Sequence, residues 1–177
     1  MPEAVPYQPD KLLEVLERHG VQFVVIGGLA AELRGSPYAT RDVDVTPSRD
    51  RANLGRLVDA LRELDAKLRI SGVEGPVEFP LDQHLFDWGT PWTFVTTHGF
   101  LDIALLPDGT RGYDDLRRGA SRERITDTLE VSVASLADVI RSKEAAGREK
   151  DRAVLPVLRR VLERSRGIES EGPEIGY

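Results

Sequence analysis

The 177-residue chain contains no cysteine, which excludes disulfides, thiolate metal sites and a cysteine nucleophile. Histidine is scarce: His19, His84 and His98 are the only three, and none falls in an HxxxH or HExxH pattern. Zinc chemistry is therefore not expected. No apolar run approaches the length needed to span a bilayer, and Met1-Pro2-Glu3-Ala4 lacks a basic stretch followed by an apolar one. The expectation is a cytoplasmic protein with no membrane partner. A general basic coat is also missing, since the net charge is −6. Local basic patches remain open, because arginine clusters at Arg117-Arg118, Arg122-Arg124 and Arg159-Arg160. What remains is ordinary for one globular domain with a real core: 40% hydrophobic and 31% charged residues, both signs interspersed.

Within that background, Thr40-Arg41-Asp42-Val43-Asp44-Val45 stands out, together with Gly27-Gly28 upstream. Asp42 and Asp44 are two apart, so on a strand both side chains point to one face. Two close carboxylates repel unless a cation or proton lies between them, and Mg²⁺ suits such an oxygen pair. The alternative is a solvated strand end. A third acid weighs against it: Asp102 lies inside the otherwise apolar run Phe100-Leu101-Asp102-Ile103-Ala104-Leu105-Leu106. Burying that carboxylate is costly unless it is paired or metal-bound. The glycine pair, opening a helix, offers bare backbone that a phosphate can approach.

The rest of the pattern predicts a single α/β (α+β) domain with a mixed sheet flanked by helices, and with helices at its C-terminal end. A helix starts at Pro9-Asp10-Lys11 and stops at Gly20, and a buried strand covers 21–26. A short helix follows over Leu29–Leu33, then a strand over 41–45. A helix is expected from about 49 to 67, capped by Ser48 or Asp50. Residues 68–90 are broken by glycine and proline into short strands and turns. Residues 92–96 and the Asp102 strand form a hairpin across Gly99. One or two helical turns over Tyr113–Arg118, a strand over 129–133 and helices to about Gly147 and from about 149 to 164 complete the domain. Ser135 caps the first of those two helices. Residues 1–164 form the domain, and 165–177 read as a flexible acidic tail.

Lys143 falls on the apolar face set by Leu136, Val139 and Ile140. Either its stem packs while its ammonium reaches water, or the ammonium enters a pocket and binds phosphate. Asp151 has a similar relation to Val154, Leu155 and Leu158. It either orients Lys143 or a basic group of a substrate, or belongs to a solvated charge run at Lys150-Asp151-Arg152.

Taken together, these segments resemble the nucleotidyltransferase superfamily, specifically its AbiEii/MenT-type bacterial toxins. The resemblance rests on Val25-Ile26-Gly27-Gly28-Leu29-Ala30, Gly35, Thr40–Asp44, Phe100–Ile103 and Ser142–Asp151, and spans roughly residues 21–160. It implies an Mg²⁺-dependent transfer of a nucleotide from a nucleoside triphosphate to an acceptor hydroxyl, the 3′ end of tRNA in MenT-type members. A toxin–antitoxin pair is the usual setting, so a cognate antitoxin is an implied partner. Carried over, Asp42, Asp44 and Asp102 ligate metal, with Asp102 alternatively the base. Gly27 and Gly28 hold the triphosphate through backbone N–H groups, Lys143 neutralises it, and Thr40 and Arg41 line the nucleotide site. Asp151 completes the catalytic set. Many superfamily members have Gly-Ser where this chain has Gly-Gly, and no RNA-binding domain is appended. Nucleotidylation or phosphorylation of a protein or small-molecule acceptor, or a nucleotide-binding module without catalysis, remains the alternative.

Overall fold

The computed structural model describes residues 4–89 and 91–170. Among the described residues, seven strands, β1 (Phe23–Ile26), β2 (Asp42–Pro47), β3 (Lys67–Leu68), β4 (Trp92–Thr96), β5 (Gly99–Ile103), β6 (Ser121–Arg124) and β7 (Glu130–Val133), form one mixed sheet in the order β3-β4-β5-β2-β1-β7-β6. The chain begins with α1 (Pro9–Arg18), whose buried Leu12, Leu13, Val15 and Leu16 make one apolar face. It then enters β1 (Phe23–Ile26), where three of four residues are buried. β1 runs directly into α2 (Gly27–Leu33), two residues earlier than the apolar spacing alone suggests, because both glycines belong to the helix. β2 (Asp42–Pro47) then pairs antiparallel with β1, placing Ile26 opposite Asp44.

α3 covers Arg51–Glu63 and is shorter than the helix expected over 49–67. Its cap is Asp50, whose Oδ1 accepts from the Asn53 N–H at 3.1 Å. Its end comes early because Asp65 adopts a positive φ of 48°, incompatible with another helical turn. The chain then forms the two-residue β3 (Lys67–Leu68). The expected irregularity of 68–90 holds, but Gln83–Trp88 within it winds into a 3₁₀ helix. β4 (Trp92–Thr96) and β5 (Gly99–Ile103) make the expected hairpin, and β5 lies parallel to β2.

After β5 come α4 (Tyr113–Gly119), β6 (Ser121–Arg124), β7 (Glu130–Val133), α5 (Leu136–Ala146) and α6 (Glu149–Ser170). β6 is not expected from the sequence, since Ser-Arg-Glu-Arg carries no apolar alternation. It is an edge strand held by four pairs to β7, and a charged sequence suits an edge. α6 runs beyond 164 to Ser170 and crosses Pro156 on the way. The expected flexible tail therefore has a helical start over 165–170, and residues 171–177 lie outside the described residues. Gly147, at a left-handed φ of 61°, ends α5 and turns the chain into α6. No helix among the described residues is long and apolar enough to cross a membrane.

Two polar side chains tie this frame together. Asn53, fully buried, accepts from the Gln22 N–H at 2.7 Å and donates to the carbonyls of Gln22 and Ser48. Arg34 donates to the carbonyls of Val133 and Ala134, fixing α2 to β7. Replacing Asn53 by alanine takes the side-chain partner from the Gln22 N–H and the Ser48 carbonyl, both part-buried, while the Gln22 carbonyl keeps the Ser48 N–H, so Asn53→Ala is expected to cost about 2 kcal/mol in a urea titration. An unchanged midpoint would show that water reaches those groups.

Candidate active site

Strand alternation builds the site. In β2, Val43 and Val45 are buried while Asp42 and Asp44 are half-buried. In β5, Leu101 and Ile103 are buried while Phe100 and Asp102 are half-buried. The valines, Leu101 and Ile103 join the core that also holds the leucines of α1 and α3, so the acids face the other way. The parallel register sets Asp44 beside Asp102 and Asp42 beside Phe100. Asp42, Asp44 and Asp102 thereby each bring an oxygen within 4.8 Å of the others.

The local electrostatics are unfavourable without a cation. Burial, then the charges of Asp42 and Asp102, push the Asp44 carboxyl up to about 8, although Lys143 and Lys150 pull it down. Burial also raises Asp102, helped by Asp42 and opposed by the Thr93 hydroxyl. Asp102 Oδ1 is buried with no hydrogen-bond partner. An orphaned carboxylate oxygen between two further carboxylates fits a hard, oxygen-seeking divalent cation such as Mg²⁺.

Thr40 donates its hydroxyl to Asp42 Oδ1 at 2.6 Å, which fixes that carboxylate. The glycine pair has a packing role that spacing does not reveal. A Cβ on Gly27 would lie 2.4 Å from Asp44 Oδ2, and one on Gly28 would lie 2.8 Å from Thr40 Oγ1. Gly27 also has a φ of +65°. Both positions therefore keep side-chain bulk away from the acids as well as exposing the first turn of α2. Gly27→Ala is expected to cost at least about 1–2 kcal/mol in backbone strain and to displace Asp44. The check is a thermal melt with and without Mg²⁺: a variant that keeps wild-type Mg²⁺ stabilisation would contradict this packing role.

Two clefts meet at the acids. The larger, about 450 Å³, is lined by Gly27, Asp44, Thr93, Asp102, Asp108 and Ser142, among others. The smaller, about 260 Å³, is lined by Gly28, Ser36, Tyr38, Thr40, Asp42 and Asp151, among others. Asp44, Asp102, Gly27, Lys143, Arg148 and Lys150 line both. Tyr7 lies close enough for burial and the charges of Glu32, Asp42 and Asp44 to push its phenol up to about 12.

Asp151 is fully buried, which removes the solvated-charge-run alternative for it. It accepts from Lys143 Nζ at 3.3 Å and from Arg148 Nε at 2.6 Å. Burial alone would raise its pKa, but the Arg148 hydrogen bond and the Lys143 charge outweigh burial and hold it below the usual carboxylate range. Lys143, with a side chain only 18% exposed, enters the cleft instead of reaching bulk water.

The structure thus gathers Gly27, Gly28, Thr40, Asp42, Asp44, Asp102, Lys143 and Asp151 around one cleft. Arg41 is different: it lies just before β2, is exposed and lines neither cleft. Sequence reasoning passes over Arg148 and Lys150 as functional cations. Their signal is present in the Ser142–Asp151 segment, but the left-handed turn at Gly147 breaks the helical spacing that would have placed them.

The seven-stranded mixed sheet with its flanking helices is a nucleotidyltransferase fold. Solved structures agree. The Thermotoga maritima protein TM1012, provisionally assigned as a nucleotidyltransferase, is 21% identical, with a TM-score of 0.52 over 88% of this chain and 91% of its own. The lincosamide antibiotic adenylyltransferase LnuA, solved with lincomycin bound, is 14% identical, with a TM-score of 0.55 over 86% of this chain and 95% of its own. At such identities the likeness establishes the fold. No protein-family model matches the sequence, and no curated protein matches it.

Proposed function

We propose that the chain is an Mg²⁺-dependent nucleotidyltransferase that moves a nucleoside monophosphate from a nucleoside triphosphate to an acceptor hydroxyl. The observation that carries this reading is the convergence of Asp42, Asp44 and Asp102, one oxygen orphaned, beside Lys143, Arg148 and Lys150. Three carboxylates suit a cation, and three cationic side chains suit the polyphosphate it would accompany. When bound, Mg²⁺ supplies Lewis-acid stabilisation of the phosphoryl oxygens.

The chain's own groups divide the remaining work. The first turn of α2 presents backbone N–H groups to the phosphates, and Lys143, held by Asp151, neutralises their charge. The acceptor oxygen bonds to the α-phosphorus as the bond from that phosphorus to the α–β bridging oxygen breaks, and pyrophosphate leaves. Asp102, beside Asp44 on the adjacent strand, takes the hydroxyl proton.

For the acceptor, we infer the 3′ hydroxyl of tRNA, with growth inhibition as the outcome and a cognate antitoxin as partner. The support is the resemblance of the Gly-Gly, Asp-x-Asp, Asp102 and Lys143–Asp151 segments to MenT-type toxins. A small-molecule acceptor is the second reading. It is favoured by the 450 Å³ lobe, which falls in the size range of small-molecule pockets, and by the fold shared with LnuA.

The test is incubation of the protein and Mg²⁺ with each nucleoside triphosphate labelled at its α-phosphate, in the presence of total tRNA. An Asp42→Ala/Asp44→Ala variant serves as control. Label on tRNA that vanishes with the control supports the tRNA reading. Label on a protein band or small molecule moves the acceptor, and no transfer to any acceptor overturns the enzyme reading.

A further inference from the structure

Beyond both lobes, the face that carries the acids continues toward the β3 edge of the sheet. Phe100 lies beside Asp42 on the adjacent strand and two residues before Asp102, about 7 Å along β5. Across the hairpin, Val95 pairs with Phe100 and Thr93 pairs with Asp102, all half-buried. Arg69, just after β3, is anchored by its N–H to the Thr93 carbonyl at 2.9 Å. Its guanidinium carbon lies 4.9 Å from the centroid of the Phe100 ring. Arg69 is exposed and forms no ion pair among the described residues, although acidic groups are plentiful on this chain. On the same side, Tyr7 is brought near the hairpin turn, since the Gln8 N–H donates to the His98 carbonyl at 2.9 Å.

Stacking on Phe100 occupies one face of the guanidinium and leaves its N–H donors free. Such a platform offers a surface for a planar ring and donors for a phosphate at one place. Neither Arg69 nor Phe100 lines either lobe, so a small acceptor seated in the cleft would not need them. A polymer of planar bases joined by phosphates would, because it enters the cleft with one end and lies across the sheet with the next units.

We propose that Phe100 and Arg69 form the docking platform for a single-stranded RNA end whose terminal hydroxyl reaches the Asp44–Asp102 pair. This rests on the nucleotidyl-transfer reading and specifies its acceptor side. Phe100 supports a base, Arg69 holds the adjoining phosphate, and neither takes part in binding the triphosphate.

The experiment measures binding of a fluorescently labelled single-stranded RNA of about ten nucleotides with a free 3′ hydroxyl, at several salt concentrations. The proteins compared are wild type, Arg69→Ala, Phe100→Leu and the remote Arg159→Ala. Arg69→Ala is expected to weaken RNA binding about tenfold and to lower the salt slope by about one. Phe100→Leu, which keeps an apolar side chain, is expected to weaken it about tenfold by loss of stacking. Affinity for Mg²⁺ and nucleoside triphosphate, read by calorimetry, stays at the wild-type value in both. Unchanged RNA binding in both variants, or no RNA binding by wild type, overturns the proposal. If Asp44-dependent transfer to another acceptor persists in that case, the platform alone has failed. If Mg²⁺ and triphosphate do not bind at all, the reaction itself has failed.

Discussion

Asp44→Asn is expected to abolish nucleotidyl transfer and, in the same protein, to raise the melting temperature measured without metal. The two effects share one cause. Asp44 is the most burdened of the three carboxylates, its pKa pushed up to about 8 by burial and by Asp42 and Asp102. An unfolded chain would release that proton at about pH 4. Between these values the folded protein holds a proton that the unfolded one does not, so metal-free stability falls as pH rises from about 4 to about 8. Asparagine removes the charge at nearly constant shape, respects the tight approach to Gly27 and abolishes this penalty. It also removes a carboxylate from the proposed cation site, and a loss of several kcal/mol of transition-state stabilisation corresponds to about a thousandfold in rate.

The measurements are the transfer assay and melting curves in chelator at acid and alkaline pH. The wild-type melting temperature should fall toward pH 8 in chelator and recover on adding Mg²⁺, with a larger gain at pH 8 than at pH 6. The Asp44→Asn curves should show little of either effect. A variant as active as wild type, or a wild-type curve indifferent to both pH and Mg²⁺, would contradict the metal-site assignment.

Much of this site is legible in the amino-acid sequence because strand alternation is local. Asp42 and Asp44 share a face at any register, and an acid in the apolar run around Asp102 demands a partner wherever the strand is placed. What cannot be read locally is the pairing. That Asp44 lies beside Asp102 depends on a parallel β2–β5 contact closed over more than fifty residues, and no short-range pattern encodes it. The same limit hides the Arg69–Phe100 stack, which joins a residue at the start of the least regular segment to one beyond its end. Charge also misleads where it lies at an edge. Ser121–Arg124 holds the Arg122-Arg124 cluster and no apolar alternation but pairs with β7, since an edge strand needs no apolar face. Conversely, the charge run Lys150-Asp151-Arg152 leaves a solvated Asp151 open as an alternative, yet that residue is fully buried.

That buried residue is the basis of the second large effect. Asp151→Ala is expected to destabilise the protein by about 3 kcal/mol and to raise KM for the nucleoside triphosphate by about tenfold, with a smaller effect on kcat. Removing one member of a buried ion pair leaves its partner uncompensated. The cost falls mainly on Lys143, whose side chain is 18% exposed, because Arg148, at 62%, can turn into water. Lys143 then loses the contact that aims it into the cleft, which is expected to weaken the hold on phosphate proposed for it in the ground state. The pH dependence has the opposite sign to that of Asp44. Asp151 is held below the usual carboxylate range, so its contribution is complete above the unfolded value of about 4 and is lost as pH falls through the folded one. Urea titrations across the acid range should therefore show a shallower loss of stability in Asp151→Ala than in wild type. Asp151→Asn, which keeps a hydrogen-bond acceptor for Lys143, should recover part of the KM but none of the acid dependence. Wild-type stability together with wild-type KM in Asp151→Ala would mean that Lys143 is oriented by its own packing, and the link from Asp151 to the phosphate site would be lost.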